Sequence, residues 1–111
     1  MVEQSASLDL VFHALSSDAR RFILDRLKLG DLAVTEIAAP LALTLAAVSK
    51  HVRVLTAAGL VVQRTEGRRH VCSLVSGGLE SARRWLDAAP SDERLIGGRT
   101  SGRAEFDEEI D

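Results

Sequence analysis

The chain has little cysteine, little proline and no long apolar run, and each shortage removes a class of protein. One cysteine in 111 residues, Cys72, leaves no internal disulfide to form, which agrees with a reducing compartment. No stretch approaches the ~18 consecutive apolar residues of a membrane-spanning helix. The opening MVEQSASLDL has neither the basic-then-apolar pattern of a secretory leader nor that of a transit peptide. A cytoplasmic protein is expected, with no membrane partner. Gly-rich phosphate loops, paired-carboxylate clefts and internal repeats are also missing. Ser49, Lys50 and His51 are adjacent, but neighbours on a helix point ~100° apart and do not converge as a nucleophile and its base must. An enzyme is not expected.

What is present is a globular composition, 46% hydrophobic and 27% charged, in a chain short enough for one core. A domain of this size buries a modest fraction of its surface, so a partner subunit is an expected source of further burial. The net charge of −2 is unevenly spread. Residues 1–43 hold six acids and four bases, residues 44–75 one acid and five bases, and residues 76–111 nine acids and five bases. A local +4 inside an acidic chain marks either a contact surface for a polyanion, because binding responds to the local field, or a solvated basic face.

Apolar residues Leu8, Val11, Phe12 and Leu15 recur at i, i+3, i+4 and i+7 and predict a first helix from Ser7. In LSSDARRFILDRLKLG, Ser16 or Ser17 is an N-cap, Ala19, Phe22, Ile23 and Leu27 form a stripe, and Gly30 is a stop. AVTEIAAPL predicts a short third helix capped by Thr35 and ended by Pro40, which has no amide proton to give. Thr44 caps a longer fourth helix that runs to about Ala58, before Gly59. LVVQRT and RRHVCSL, joined by Glu66 and Gly67, read as a β-hairpin. LESARRWLDAA predicts a fifth helix with Leu79, Ala82, Arg83 and Leu86 at helical spacing, ending before Pro90. Residues 1–6 are expected to be a flexible N-terminus, 7–90 the folded domain and 91–111 a disordered acidic tail. The order α-α-α-α-β-β-α is the layout of a mainly α winged helix-turn-helix, with helices 3 and 4 as the pair and the hairpin as the wing.

On a helical wheel the fourth helix divides into two faces. Val48, His51, Val52, Leu55 and Ala58 fall on an inner side, while Leu45, Ala46, Ser49, Lys50, Arg53 and Thr56 share an outer arc. Small residues, a hydroxyl and cations suit a helix that must approach base edges. Leu45 and Ala46 can meet thymine methyls, Ser49 a base edge or phosphate, and Lys50 guanine acceptors, with Arg53 better placed for phosphate. Arg64, Arg68, Arg69 and His70 surround the hairpin turn at Gly67 and can bring guanidinium groups to the backbone.

FHALSSDARRFILDRL, VTEIA, LTLAAVSKHVRVLTAAGLV and RTEGRRHVCSL follow one another here in the order and spacing of the ArsR/SmtB family of bacterial regulators, which the chain resembles over about residues 10–88. The resemblance implies a nucleoid-associated homodimer, joined through helices 1 and 5, that binds double-stranded DNA at a promoter inverted repeat and represses until an effector releases it. It implies DNA contacts at Thr44, Leu45, Ala46, Ser49 and Lys50 and wing contacts at Arg68 and Arg69. Leu8, Val11, Phe12, Leu79, Ala82, Trp85 and Leu86 are then expected at the dimer interface. Several members carry polar side chains where Leu45 and Ala46 stand, a departure that bears on the operator sequence.

Metal-sensing relatives often carry cysteines in a pattern like ELCVCDL, where this chain has DLAVTEI, with Ala33 and Thr35 at the thiolate positions. A second family site uses Asp and His on helix 5, and LESARRWLDAA contains no histidine. No cofactor is assigned; His13 and His70 are the imidazoles left for nickel or zinc, while His51 reads as a packing residue and Cys72 as a small buried one rather than a redox thiol. The competing readings are an activator, a nickel- or zinc-responsive regulator with a nonstandard site, and a protein-interaction module that keeps the scaffold.

Overall fold

The computed structural model describes residues 2–88; the expected acidic tail, 91–111, lies outside them. Five helices, α1 (Val2–Ala14), α2 (Asp18–Leu27), α3 (Val34–Ala38), α4 (Leu45–Ala57) and α5 (Glu80–Asp87), surround three strands, β1 (Leu32–Ala33), β2 (Val61–Glu66) and β3 (Arg69–Leu74). The strands form one antiparallel sheet in the order β1-β3-β2. This is the winged helix-turn-helix arrangement expected, with the β2–β3 hairpin as the wing. Helix α1 starts at Val2 instead of Ser7, so the segment expected to precede the folded domain is helical in its backbone from residue 2. Its residues include Glu, Gln and Ala and no Gly or Pro, which a helix accommodates at little cost.

Local signals place the helix ends. Ser17 caps α2 by accepting from the Arg20 amide, and Thr44 caps α4 by accepting from the Ala47 amide. Helix α3 is capped differently from expectation. Its cap is Ala33, whose backbone N–H donates to Glu36 Oε1 at 2.7 Å, so the carboxylate three residues on does what a Thr35 hydroxyl was expected to do. Helix α4 ends with the Gly59 amide donating to the Thr56 carbonyl and the Leu60 amide to the Leu55 carbonyl, both at 3.0 Å. That paired closure needs a left-handed residue, and Gly59 supplies φ +77°.

Core packing corrects three expectations. On α2 the buried side chains are Arg20, Ile23, Leu24 and Leu27, whereas Phe22 is 39% exposed. The stripe is rotated because α2 packs against both α4 and β3. Val11 and Ala82, expected to face a second subunit, are 1% and 4% exposed and join the protomer core, because α1 and α5 pack on each other. The hairpin turn is Gly67–Arg68, one residue later than Glu66–Gly67, since Glu66 still pairs with Arg69. Strand β1, which periodicity did not indicate, pairs Leu32 with Cys72 and Ala33 with Val71. Cys72 is fully buried, and desolvation pushes its thiol pKa up, the behaviour of a packing residue.

The turn between β3 and α5 passes very close to the end of α4. A Cβ added at Gly78 would lie 2.8 Å from the Gly59 carbonyl oxygen and 3.3 Å from Leu60 Cα, both of them backbone atoms. Gly78→Ala is therefore expected to destabilise the fold by about 1–3 kcal/mol through overpacking. Urea denaturation reads this as a lower midpoint at unchanged m.

Candidate nucleic-acid interface

Helix α4 is held by its inner stripe. Val48, Val52 and Leu55 are at most 1% exposed, and burial of side chains of this size stabilises by about 1.5–3 kcal/mol each. Fixing that stripe turns the opposite face to solvent. Leu45, Ala46, Lys50, Arg53 and Thr56 are exposed and Ser49 is half-buried, as the wheel predicted. Thr44 is exposed but its hydroxyl accepts the Ala47 amide, so its first role is structural. A shallow groove lined by Val34, Thr35, Leu45, Ser49, Arg53, Gln63 and His70 joins the start of α3, the outer face of α4 and the base of the wing. Helix and wing thus contribute to one continuous surface.

The cations of this surface divide into two sets. Lys50, Arg53 and the turn residue Arg68 make no ion pair among the described residues. Arg64 is bound by Glu66 at 2.7 Å and Asp31 at 3.1 Å, contacts that raise its pKa, and it also donates to Ser73 Oγ at 2.8 Å. Arg69 pairs with Glu36 at 3.0 Å. The local +4 read from residues 44–75 is therefore partly offset by Asp31 and Glu36, which come from outside that segment.

Behind the outer face, Arg20 is buried, and each of its three guanidinium nitrogens has a partner. Its Nε donates to the Ala14 carbonyl at 2.8 Å and its Nη2 to the His13 carbonyl at 2.9 Å, while Nη1 lies 3.2 Å from His51 Nδ1. Arginine has no acceptor, so His51 Nδ1 must be the unprotonated acceptor and Nε2 must carry the hydrogen. The expected stripe of Ala19, Phe22, Ile23 and Leu27 left Arg20 out; its spacing at i, i+3, i+4 and i+7 with Ile23, Leu24 and Leu27 was the available clue. His13 and His70 are both exposed, on α1 and β3, and no three His, Cys, Asp or Glu side chains gather to hold a metal among the described residues.

Residues 15–64 match the helix-turn-helix domain family. The HTH-type transcriptional regulator Rv2034 of Mycobacterium tuberculosis is 43% identical over 81 residues, which span 73% of this chain and 76% of that protein. The solved ArsR-like transcriptional regulator from Rhodococcus superposes with a TM-score of 0.66 at 31% identity, covering 96% of this chain and 93% of the other. The chain belongs to the ArsR family. It is a DNA-binding transcription regulator of that family, and the relatives it matches are regulators, not enzymes. A further neighbour is the homodimeric winged helix-turn-helix DNA-binding domain Mb0332 from Mycobacterium bovis, described as a possible ArsR-family transcriptional regulator, with a TM-score of 0.60, 30% identity and coverage of 85% of this chain and 83% of the other. No helix among the described residues is long and apolar enough to cross a membrane.

The Arg20–His51 contact gives this ArsR-family protein a pH-dependent stability. Burial lowers the His51 pKa below the ordinary imidazole value, and the Arg20 charge lowers it further. A histidine with a depressed folded pKa binds more protons when unfolded, so its neutral form supports the fold fully above about pH 6.5 and less as the pH falls below that. Thermal melts are expected to show Tm declining from about pH 7 to pH 5. His51→Gln, which keeps a neutral acceptor for Arg20, should flatten that decline; an equally steep decline in the variant would remove His51 as its source.

Proposed function

We propose that this ArsR-family protein is a homodimeric repressor that binds an inverted repeat in a promoter. The observation that carries the reading is the groove that joins Ser49 and Arg53 of α4 to Gln63 and His70 of the wing, together with three exposed cations, Lys50 and Arg53 on α4 and Arg68 at the wing turn, that have no acidic partner among the described residues. In this reading α4 lies in the major groove, where Leu45 and Ala46 meet thymine methyls and Ser49 and Lys50 meet base edges, with Thr44 at its amino end. Arg53 and Arg68 hold the phosphate backbone. Lys50→Ala is expected to weaken operator binding by about 1–3 kcal/mol. Fluorescence anisotropy on promoter fragments reads it, and unchanged operator affinity in a folded Lys50→Ala protein would refute the assignment.

Dimerisation is supported by apolar side chains left in solvent on α1 and α5. Leu10 is 44% exposed and Phe12 36% on α1, and Trp85 and Leu86 are each 56% exposed on α5. Phe12 and Trp85 already meet edge to face at 5.9 Å, so they present one aromatic surface. Leu8 and Leu79 pack against the protomer core beneath it. A two-fold related partner would cover this surface and set two copies of α4 in major grooves ~34 Å apart. Sedimentation of a Trp85→Glu variant should show monomers, with operator affinity falling in parallel; a dimer that persists places the interface elsewhere.

The release signal in this reading is not a soft metal held by thiolates. Ala33 is buried as the α3 cap and Thr35 offers only a hydroxyl, so the residues at these positions do not fit such an ion. The repressor acts in the cytoplasm, on the nucleoid.

A further inference from the structure

Glu36 touches three elements at once. Its backbone carbonyl accepts from Arg26 Nη1 of α2 at 2.9 Å. Its Oε1 accepts the Ala33 amide at 2.7 Å, closing the first turn of α3, and the same oxygen accepts from Arg69 Nη2 of the wing at 3.0 Å. The β1–β3 register explains the last contact. Ala33 pairs with Val71, and Arg69, two residues earlier in β3, projects from the same side of the strand beside the start of α3.

The base of the wing is held by other contacts: β1 supplies two residue pairs to β3, Arg64 pairs with Asp31 at 3.1 Å, and Val61, Val71 and Cys72 are buried. Toward the tip, beyond Ala33, the hairpin has no further strand partner on that side. An exposed ion pair alone contributes little, largely because two long side chains must be ordered to form it. Here the cap has already ordered the carboxylate, so only Arg69 has to be fixed. Arg68, the adjacent turn residue, makes no ion pair among the described residues.

We propose that Glu36 is a positioning residue for DNA recognition: through Arg69 it sets the pitch of the wing against α4, so that Arg68 reaches phosphate while α4 is in the groove. Arg69 is then a strut and not itself a phosphate ligand. The proposal rests on the reading of α4 and Arg68 as the DNA-contacting face. It also makes opposite demands on two kinds of DNA. Operator binding needs helix and wing in register, whereas binding to arbitrary DNA needs only positive charge, and the Glu36 carboxylate works against that.

The test is Glu36→Gln in the full chain, since a glutamine amide oxygen still accepts the Ala33 amide but no longer pairs with Arg69 as an ion. Operator affinity is expected to fall by roughly fivefold, the upper range for an exposed pair, and affinity for a non-operator duplex to stay level or rise. Arg69→Gln should show the same operator loss, and the double variant should lose no more than either single one. Tighter operator binding by Glu36→Gln would overturn the proposal, because it would mean that the variant had freed Arg69 for phosphate. Parallel losses on both duplexes would also overturn it, because they would show a general structural defect. Lys50→Ala and Arg68→Ala are measured alongside. If these two leave operator binding intact, the DNA-contacting face has been misassigned; if they weaken it and Glu36→Gln does not, the strut alone fails.

Discussion

The helical half of this protein depends on the buried guanidinium of Arg20. A cation removed from water must have its donors satisfied, and Arg20 meets this with the Ala14 and His13 carbonyls at the end of α1 and with His51 of α4. The last carbonyls of a helix have no partner within it and carry the negative end of its dipole, so a cation there stabilises twice over. The result is that α1, which carries the exposed apolar side chains, and α4, which carries the outer face, meet on the side chain of a third helix. The neutrality of His51 belongs to the same arrangement, because a proton on Nδ1 would set two cations face to face.

The outer surface follows from a different constraint, the division of charge between contacts inside the molecule and contacts outside it. Counting residues 44–75 suggests five equivalent cations, but Asp31 and Glu36, brought in by β1 and α3, engage Arg64 and Arg69. Lys50, Arg53 and Arg68 are left, on the helix face and at the wing tip. Two cations thus shape the wing and three give the surface its field. This explains how an acidic chain carries a concentrated basic face without a large basic surplus.

Much of this architecture could be read from sequence where the cause is local. Ser17, Thr44 and Gly59 act within a few residues of themselves, and each terminates a helix as its chemistry dictates. The two faces of α4 were readable because a helix with three buried β-branched or leucine residues at i, i+4 and i+7 has only one way to lie. What escaped was non-local. Strand β1 is two residues long and exists only because β3 pairs with it. Phe22 and Leu24 exchange the burial expected of them, because the orientation of α2 is decided by α4 and β3 together. Val11 and Ala82 look like interface residues until α1 and α5 are seen to pack within one protomer. The Arg69–Glu36 and Arg20–His51 contacts join residues 33 and 31 apart, beyond the reach of any spacing rule.

The wing strand β2 is an edge of the three-stranded sheet, and an edge is a row of unpaired amides and carbonyls able to recruit another strand. Two such edges that met in solution would be exposed to wrong pairing. In β2 that risk is countered by shortness and by charge, since the strand has six residues and Arg64 and Glu66 alternate along one face while Arg68 follows at the turn. A second wing laid alongside in parallel would set Arg68 beside Arg68, a like-charge contact that opposes the pairing. The cation at the tip, read above as a phosphate ligand, therefore also works against assembly through the sheet edges.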